Sequence, residues 1–87
     1  MIQIQLDLYG ACRDLHSQPS LSLALPQDSL VGALRAALPA CFDRADLARA
    51  TALVASSAFA SDSALLRHAD VIPADGRLAI LPPVSGG

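Results

Sequence analysis

Ile2-Gln3-Ile4-Gln5-Leu6-Asp7-Leu8 places four aliphatic side chains on one side of an extended backbone and three polar ones on the other. This period of two predicts a half-buried strand over 2–8, one face on a core and one in water. A second alternation follows at 20–25, where Leu21, Leu23 and Leu25 interleave with Ser20, Ser22 and Ala24, and Pro26 stops it. The link of roughly ten residues, with a short helical turn expected over 11–16, lets the two strands pair as neighbours. Next, Leu30, Val31, Leu34, Ala37 and Leu38 recur at helical spacing. Asp28 or Ser29 is expected to cap that helix and Pro39 to end it near Leu38.

The second half is less patterned. Residues 41–50 suit another short helical turn, and Thr51 to Phe59 reads as a third strand of small residues. Ser61-Asp62-Ser63 reads as a turn, and 64–73 as irregular chain or a brief strand. Asp75-Gly76 is a strong turn signal, and Arg77 to Leu81 a final apolar strand ended by Pro82-Pro83. Two strands, a helix and further strands make an α+β domain: a mixed four- to five-stranded sheet with one main helix across one face.

The 87 residues allow one domain. Six Arg oppose eight Asp, with no Lys and no Glu. The longest run free of charge, 15–27, is 13 residues and contains two prolines, too short for a membrane span. Met1-Ile2-Gln3-Ile4 carries no basic segment before an apolar one, so no signal peptide is expected. A net charge of −2 with scattered Arg offers no stripe for a phosphate backbone, which argues against nucleic acid. The expected setting is cytoplasmic. Cys12 and Cys41 are too few for a disulfide framework and read as small buried hydrophobes. His16 and His68 lack partners at ligand spacing, so no metal site is expected, and both read as solvated loop residues.

The last six residues are Pro82-Pro83-Val84-Ser85-Gly86-Gly87. They follow the final strand as a tail that can reach at most about 20 Å. The prolines hold its base extended, and the two glycines let its tip enter a channel too narrow for a side chain. At average usage, Pro at 82 and 83 with Gly at 86 and 87 arises by chance about once in 80,000 chains. A carboxylate on such a stalk suits activation by ATP as an acyl-adenylate, followed by displacement of AMP by a nucleophile. A sulfur nucleophile would leave a thiocarboxylate.

With this tail the sequence resembles the small subunits of molybdopterin synthase, ubiquitin-like β-grasp sulfur carriers that typically end in Pro-Pro-Val-(Ser/Thr)-Gly-Gly. Weaker matches run along the chain. Leu8-Tyr9-Gly10-Ala11-Cys12-Arg13-Asp14-Leu15 is similar to the family's segment after strand one, with Asp14 for the usual Glu. Ser29-Leu30-Val31-Gly32-Ala33-Leu34 is similar to its helix start, and Asp75-Gly76 to its last hairpin. The chain departs from the family at Val54-Ala55-Ser56-Ser57, at Arg77, where an acidic residue is common, and in a longer segment 57–73.

The resemblance implies a β-grasp domain over 1–81 and a flexible Gly-Gly tail over 82–87. It implies a co-substrate rather than an enzyme: Gly87 is adenylated, becomes a thiocarboxylate and gives its sulfur to cyclic pyranopterin monophosphate. Gly86, Ser85, Val84, Pro83 and Pro82 would guide the tail. The implied partners are the large synthase subunit in a heterotetramer, a ubiquitin-activating-like adenylating enzyme and a sulfurtransferase or cysteine desulfurase system. No cofactor is held stably, ATP and Mg being used by the adenylating partner. An apolar docking patch is expected beside the tail's root, with Phe59 a candidate member. Carriers for thiamine thiazole synthesis or tRNA thiolation, and a β-grasp module that carries no sulfur, are the alternatives.

Overall fold

The computed structural model describes residues 1–83. Strand β1 spans Ile2–Leu8, β2 Ser20–Leu25, β3 Ala58–Ala60, β4 Leu65–Leu66 and β5 Arg77–Leu81; helix α1 spans Val31–Ala37 and α2 Leu47–Ser56. The strands form one sheet in the order β2-β1-β5-β3-β4. β1 pairs antiparallel with β2, with Leu6 opposite Leu21 and Ile4 opposite Leu23, and parallel with β5, with Leu6 opposite Leu78 and Leu8 opposite Ile80. The mixed sheet of the expected α+β architecture is therefore complete with five strands.

Register puts the core on one face. Ile4, Leu6 and Ile80 have no exposed surface, and Ile2, Leu8, Leu21 and Leu78 are nearly as deep. Against them pack Val31 and Leu34 of α1, Ala50 and Val54 of α2, and Cys12 and Leu15 from a 3-10 helix over Gly10–Leu15. Gly76 makes the hairpin into β5 possible. Its φ is +68°, and a Cβ there would stand 2.0 Å from the Gln3 carbonyl oxygen, so only glycine fits this close crossing.

Two sequence expectations are corrected. The stretch read as a third strand, Thr51 to Phe59, is mostly α2, and β3 keeps only Ala58–Ala60. Asp46 starts this helix, its carboxylate accepting from the Arg49 N–H at 2.7 Å. Alanine, the best helix former, occupies positions 48, 50, 52 and 55, and Ala50 and Val54 meet the core at i, i+4 spacing. Arg35 closes its other end, donating from Nη1 to the Val54 and Ser57 carbonyls at 2.7 Å each.

The second correction concerns α1, which neither Asp28 nor Ser29 caps. Leu30 stands at the N-cap without a side-chain bond, while main chain does the work: the Val31 and Gly32 N–H groups donate to the Asp70 and His68 carbonyls. Asp28 takes a left-handed turn conformation at φ +63°, and the Ser29 hydroxyl donates back to the Pro26 carbonyl. A segment some forty residues downstream thus satisfies the helix start (70 − 31 = 39), which no local motif announces.

Candidate functional site

β5 is the middle strand of the sheet, and its end delivers the chain at Leu81–Pro82 beside the turn that follows β1. That turn is built to receive it. Gly10 has a φ of +54°, and a Cβ on it would lie 2.9 Å from the Pro82 ring. The tail therefore leaves the body at a defined point, with Pro82 half-buried and Pro83 exposed. Val84, Ser85, Gly86 and Gly87 lie outside the described residues.

Because Leu78, Ile80 and Phe59 point into the core, their neighbours face the other way. Among the described residues no helix covers this second face. Ala58 stands opposite Leu81, and Ala60 opposite both Ala79 and Leu65. These five side chains make an apolar strip running to the tail's root, with Leu65 68% and Leu81 36% exposed. Beside the strip lies a hollow of about 670 Å³ bordered by Gln5, Asp7, Tyr9, Asp62 and Arg77, with Ala60 and Ala79 among its lining residues. The strip is thus apolar ground with small side chains and a polar border.

Phe59 does not belong to this surface. It is fully buried, and the Arg35 guanidinium lies 4.9 Å from its ring centre on the helix side. The expectation that Phe59 contributes to an exposed patch is corrected: its side chain lies on the covered face of β3. The residues of the uncovered face, Ala58, Ala60, Ala79 and Leu81, are those that alternate with the buried ones, a signal legible in Arg77–Leu81 but hidden in 51–59 by the misread helix.

The remaining candidate groups are structural. Cys12 is buried, and burial pushes its thiol up, the Ser57 hydroxyl at 3.9 Å opposing this in part. Burial also raises Cys41. Both are held as thiols rather than thiolates at neutral pH. His16 is not a solvated loop residue as expected: its side chain is 14% exposed, its ring meets Phe42 edge-on, and its Nδ1 accepts from the Asp43 N–H at 3.3 Å. His68 is exposed. Among the described residues no three His, Cys, Asp or Glu side chains gather where a metal could bind, and no helix is long and apolar enough to cross a membrane.

No family model matches the chain. The molybdopterin synthase sulfur carrier subunit of Arabidopsis thaliana is 30% identical over 87 residues, covering 99% of this chain and 84% of that protein. The crystal structure of SAMP1 from Haloferax volcanii superposes with a TM-score of 0.70 over 98% of this chain and 99% of that one, at 16% identity. That likeness establishes the fold, a ubiquitin-like β-grasp. With near-complete coverage of a sulfur carrier at this identity, and the sheet that the tail motif led one to expect, the chain belongs to the molybdopterin synthase sulfur carrier subunits.

Proposed function

We propose that this protein carries sulfur on its terminal glycine, as a co-substrate in molybdenum cofactor synthesis in the cytoplasm. The observation that supports the reading is the Pro-Pro-Val-Ser-Gly-Gly sequence at 82–87, which follows the central strand where Pro82 leaves it beside an uncovered apolar face. The body over 1–81 docks and the tail over 82–87 reacts. An adenylating enzyme, with ATP and Mg, lets a Gly87 carboxylate oxygen attack the α-phosphorus, and pyrophosphate leaves. A persulfide from a sulfurtransferase or desulfurase system attacks the acyl carbon and expels AMP, and a thiol then attacks the resulting acyl disulfide, forming a disulfide with the donor cysteine and releasing the thiocarboxylate. In the large synthase subunit this sulfur forms a bond to a side-chain carbon of cyclic pyranopterin monophosphate as a carbon–oxygen bond at that carbon breaks, and the oxygen leaves with a proton. Water then cleaves the acyl–sulfur bond and returns the carboxylate.

A dithiolene holds two sulfurs and each carrier brings one, so two charged carriers serve each product, which suits a heterotetramer. Glycine at 86 and 87 keeps the tetrahedral intermediate uncrowded. The acid–base groups for sulfur transfer belong to the large subunit, since the tail brings only backbone and the Ser85 hydroxyl. Cys12 and Cys41, raised by burial, are unsuited to relaying sulfur.

The test is intact-mass analysis after incubation with the adenylating enzyme, ATP, Mg and a sulfur donor. The expected product has one terminal oxygen exchanged for sulfur, and that product yields molybdopterin with the large subunit and pyranopterin. No exchange would refute the carrier role. Exchange followed by thiazole formation or tRNA thiolation alone would refute the pathway.

A further inference from the structure

Arg77 starts the central strand on the uncovered face of the sheet. Across it at the level of Arg77 stand Gln5 on β1 and Asp62 just past β3, and one level nearer the tail stand Asp7, Ala79 and Ala60. From Arg77 to Leu81 is four residues of strand, about 13 Å. The face is thus graded, apolar at the tail's root and charged at the far end. Arg77 is exposed, and among the described residues its guanidinium forms no ion pair. Neither Asp7 nor Asp62 is in direct contact with it, although all three border one hollow. Its backbone N–H donates to the Asp75 carboxylate at 3.1 Å, which fixes where the side chain starts.

A partner that covers the apolar strip must meet this charge pattern. An evenly basic surface would be repelled at Arg77, and an evenly acidic one at Asp7 and Asp62. A carboxylate set against Arg77 would satisfy the planar guanidinium fork with two parallel hydrogen bonds. Once docking removes water from the hollow, a mismatched charge there is penalised more heavily than on an open surface.

We propose that Arg77 determines which large synthase subunit this carrier accepts, by pairing with a carboxylate of that subunit at the rim of an interface centred on Ala58, Ala60, Ala79 and Leu81. The inference rests on the carrier reading above and adds the partner's chemistry to it. The partner's surface carries an acidic side chain opposite Arg77 and a basic one opposite Asp7.

The experiment measures binding of the full chain to the large subunit encoded by the same organism, for the parent, Arg77→Asp, Arg77→Ala and Leu81→Asp. Thermal melts check that the exposed substitutions leave the body folded. Arg77→Asp is expected to weaken binding about tenfold or more, chiefly through the association rate, with the difference shrinking as salt is raised. Arg77→Ala should fall between it and the parent. Leu81→Asp should weaken binding at every salt concentration. Reversing the facing carboxylate of the large subunit to Lys should restore affinity to Arg77→Asp and not to the parent. If Arg77→Asp binds within about twofold of the parent while Leu81→Asp fails, the role of Arg77 is refuted and the carrier reading stands. A parent that does not bind the large subunit refutes the carrier reading with it. A parent that instead self-associates, and loses this in Leu81→Asp, assigns the face to a second copy and refutes the proposal.

Discussion

A methyl group at position 76 would have to occupy space already held by the Gln3 carbonyl, in a conformation L side chains rarely adopt. Gly76→Ala should therefore cost about 2–4 kcal/mol, read as a lower midpoint in urea. An unchanged midpoint would mean that the turn relaxes freely. Asp43 makes a different residue-scale argument. Its carboxylate accepts from the Ser17 hydroxyl and the Ser17 N–H, and these bonds, with His16 and Arg44 nearby, hold it below the usual aspartate range. A group depressed in the folded state adds stability above its unfolded pKa and loses it as pH falls through the folded value. Asp43→Asn should thus flatten the acid limb of the stability profile below about pH 4 and leave its shape near neutrality unchanged. An acid limb identical to the parent's would show that the Ser17 bonds do not survive in solution.

Among the elements, α2 ties the least legible part of the sequence to the core. Asp46→Ala removes its cap and should cost about 1 kcal/mol. Phe59→Ala, beneath Arg35, should cost about 3–5 kcal/mol, since the side chain is wholly buried. A loss under about 1 kcal/mol at Phe59 would place that ring at the surface after all. β1, β2 and β5 could be read residue by residue because each is half-buried, and half-burial writes itself as alternation. α2 could not, because alanine serves both its exposed and its buried positions, leaving little hydrophobic contrast to reveal a period. The start of α1 was hidden for another reason: its donors are satisfied by the carbonyls of residues 68 and 70, a tertiary fact without a local trace. The same limits applied to the site. The tail motif was plain as a string, whereas the uncovered apolar strip needed the knowledge that 58 and 60 belong to a strand paired with 79 and 81.

At the scale of the whole molecule, the proposed function divides stability from chemistry between body and tail. The core closes among residues 2 to 80, and the outermost contact described is Pro82 on Gly10. Deleting Gly87 should therefore abolish sulfur loading while leaving the melting temperature within about 1 °C of the parent. A clear drop would mean that the tip supports the body. The chain also lacks lysine altogether, so no side-chain amine of its own can intercept an activated Gly87. The fold says where such an amine would matter. Arg13 lies three residues beyond Gly10 in a 3-10 helix, about 6 Å along its axis. The five residues from Pro82 to Gly87 can extend about 17 Å from the same contact, which brings position 13 within reach of the acyl carbon. Arg13→Lys keeps the charge and adds a nucleophile. On activation without a sulfur donor, its amine should attack the acyl-adenylate, expel AMP and leave an internally linked chain lighter by one water, detectable by intact mass. The parent should give none. If Arg13→Lys also gives none while ATP is still converted to AMP and pyrophosphate, the adenylate is shielded by the partner enzyme, and the missing lysines have no bearing on the chemistry of the tail.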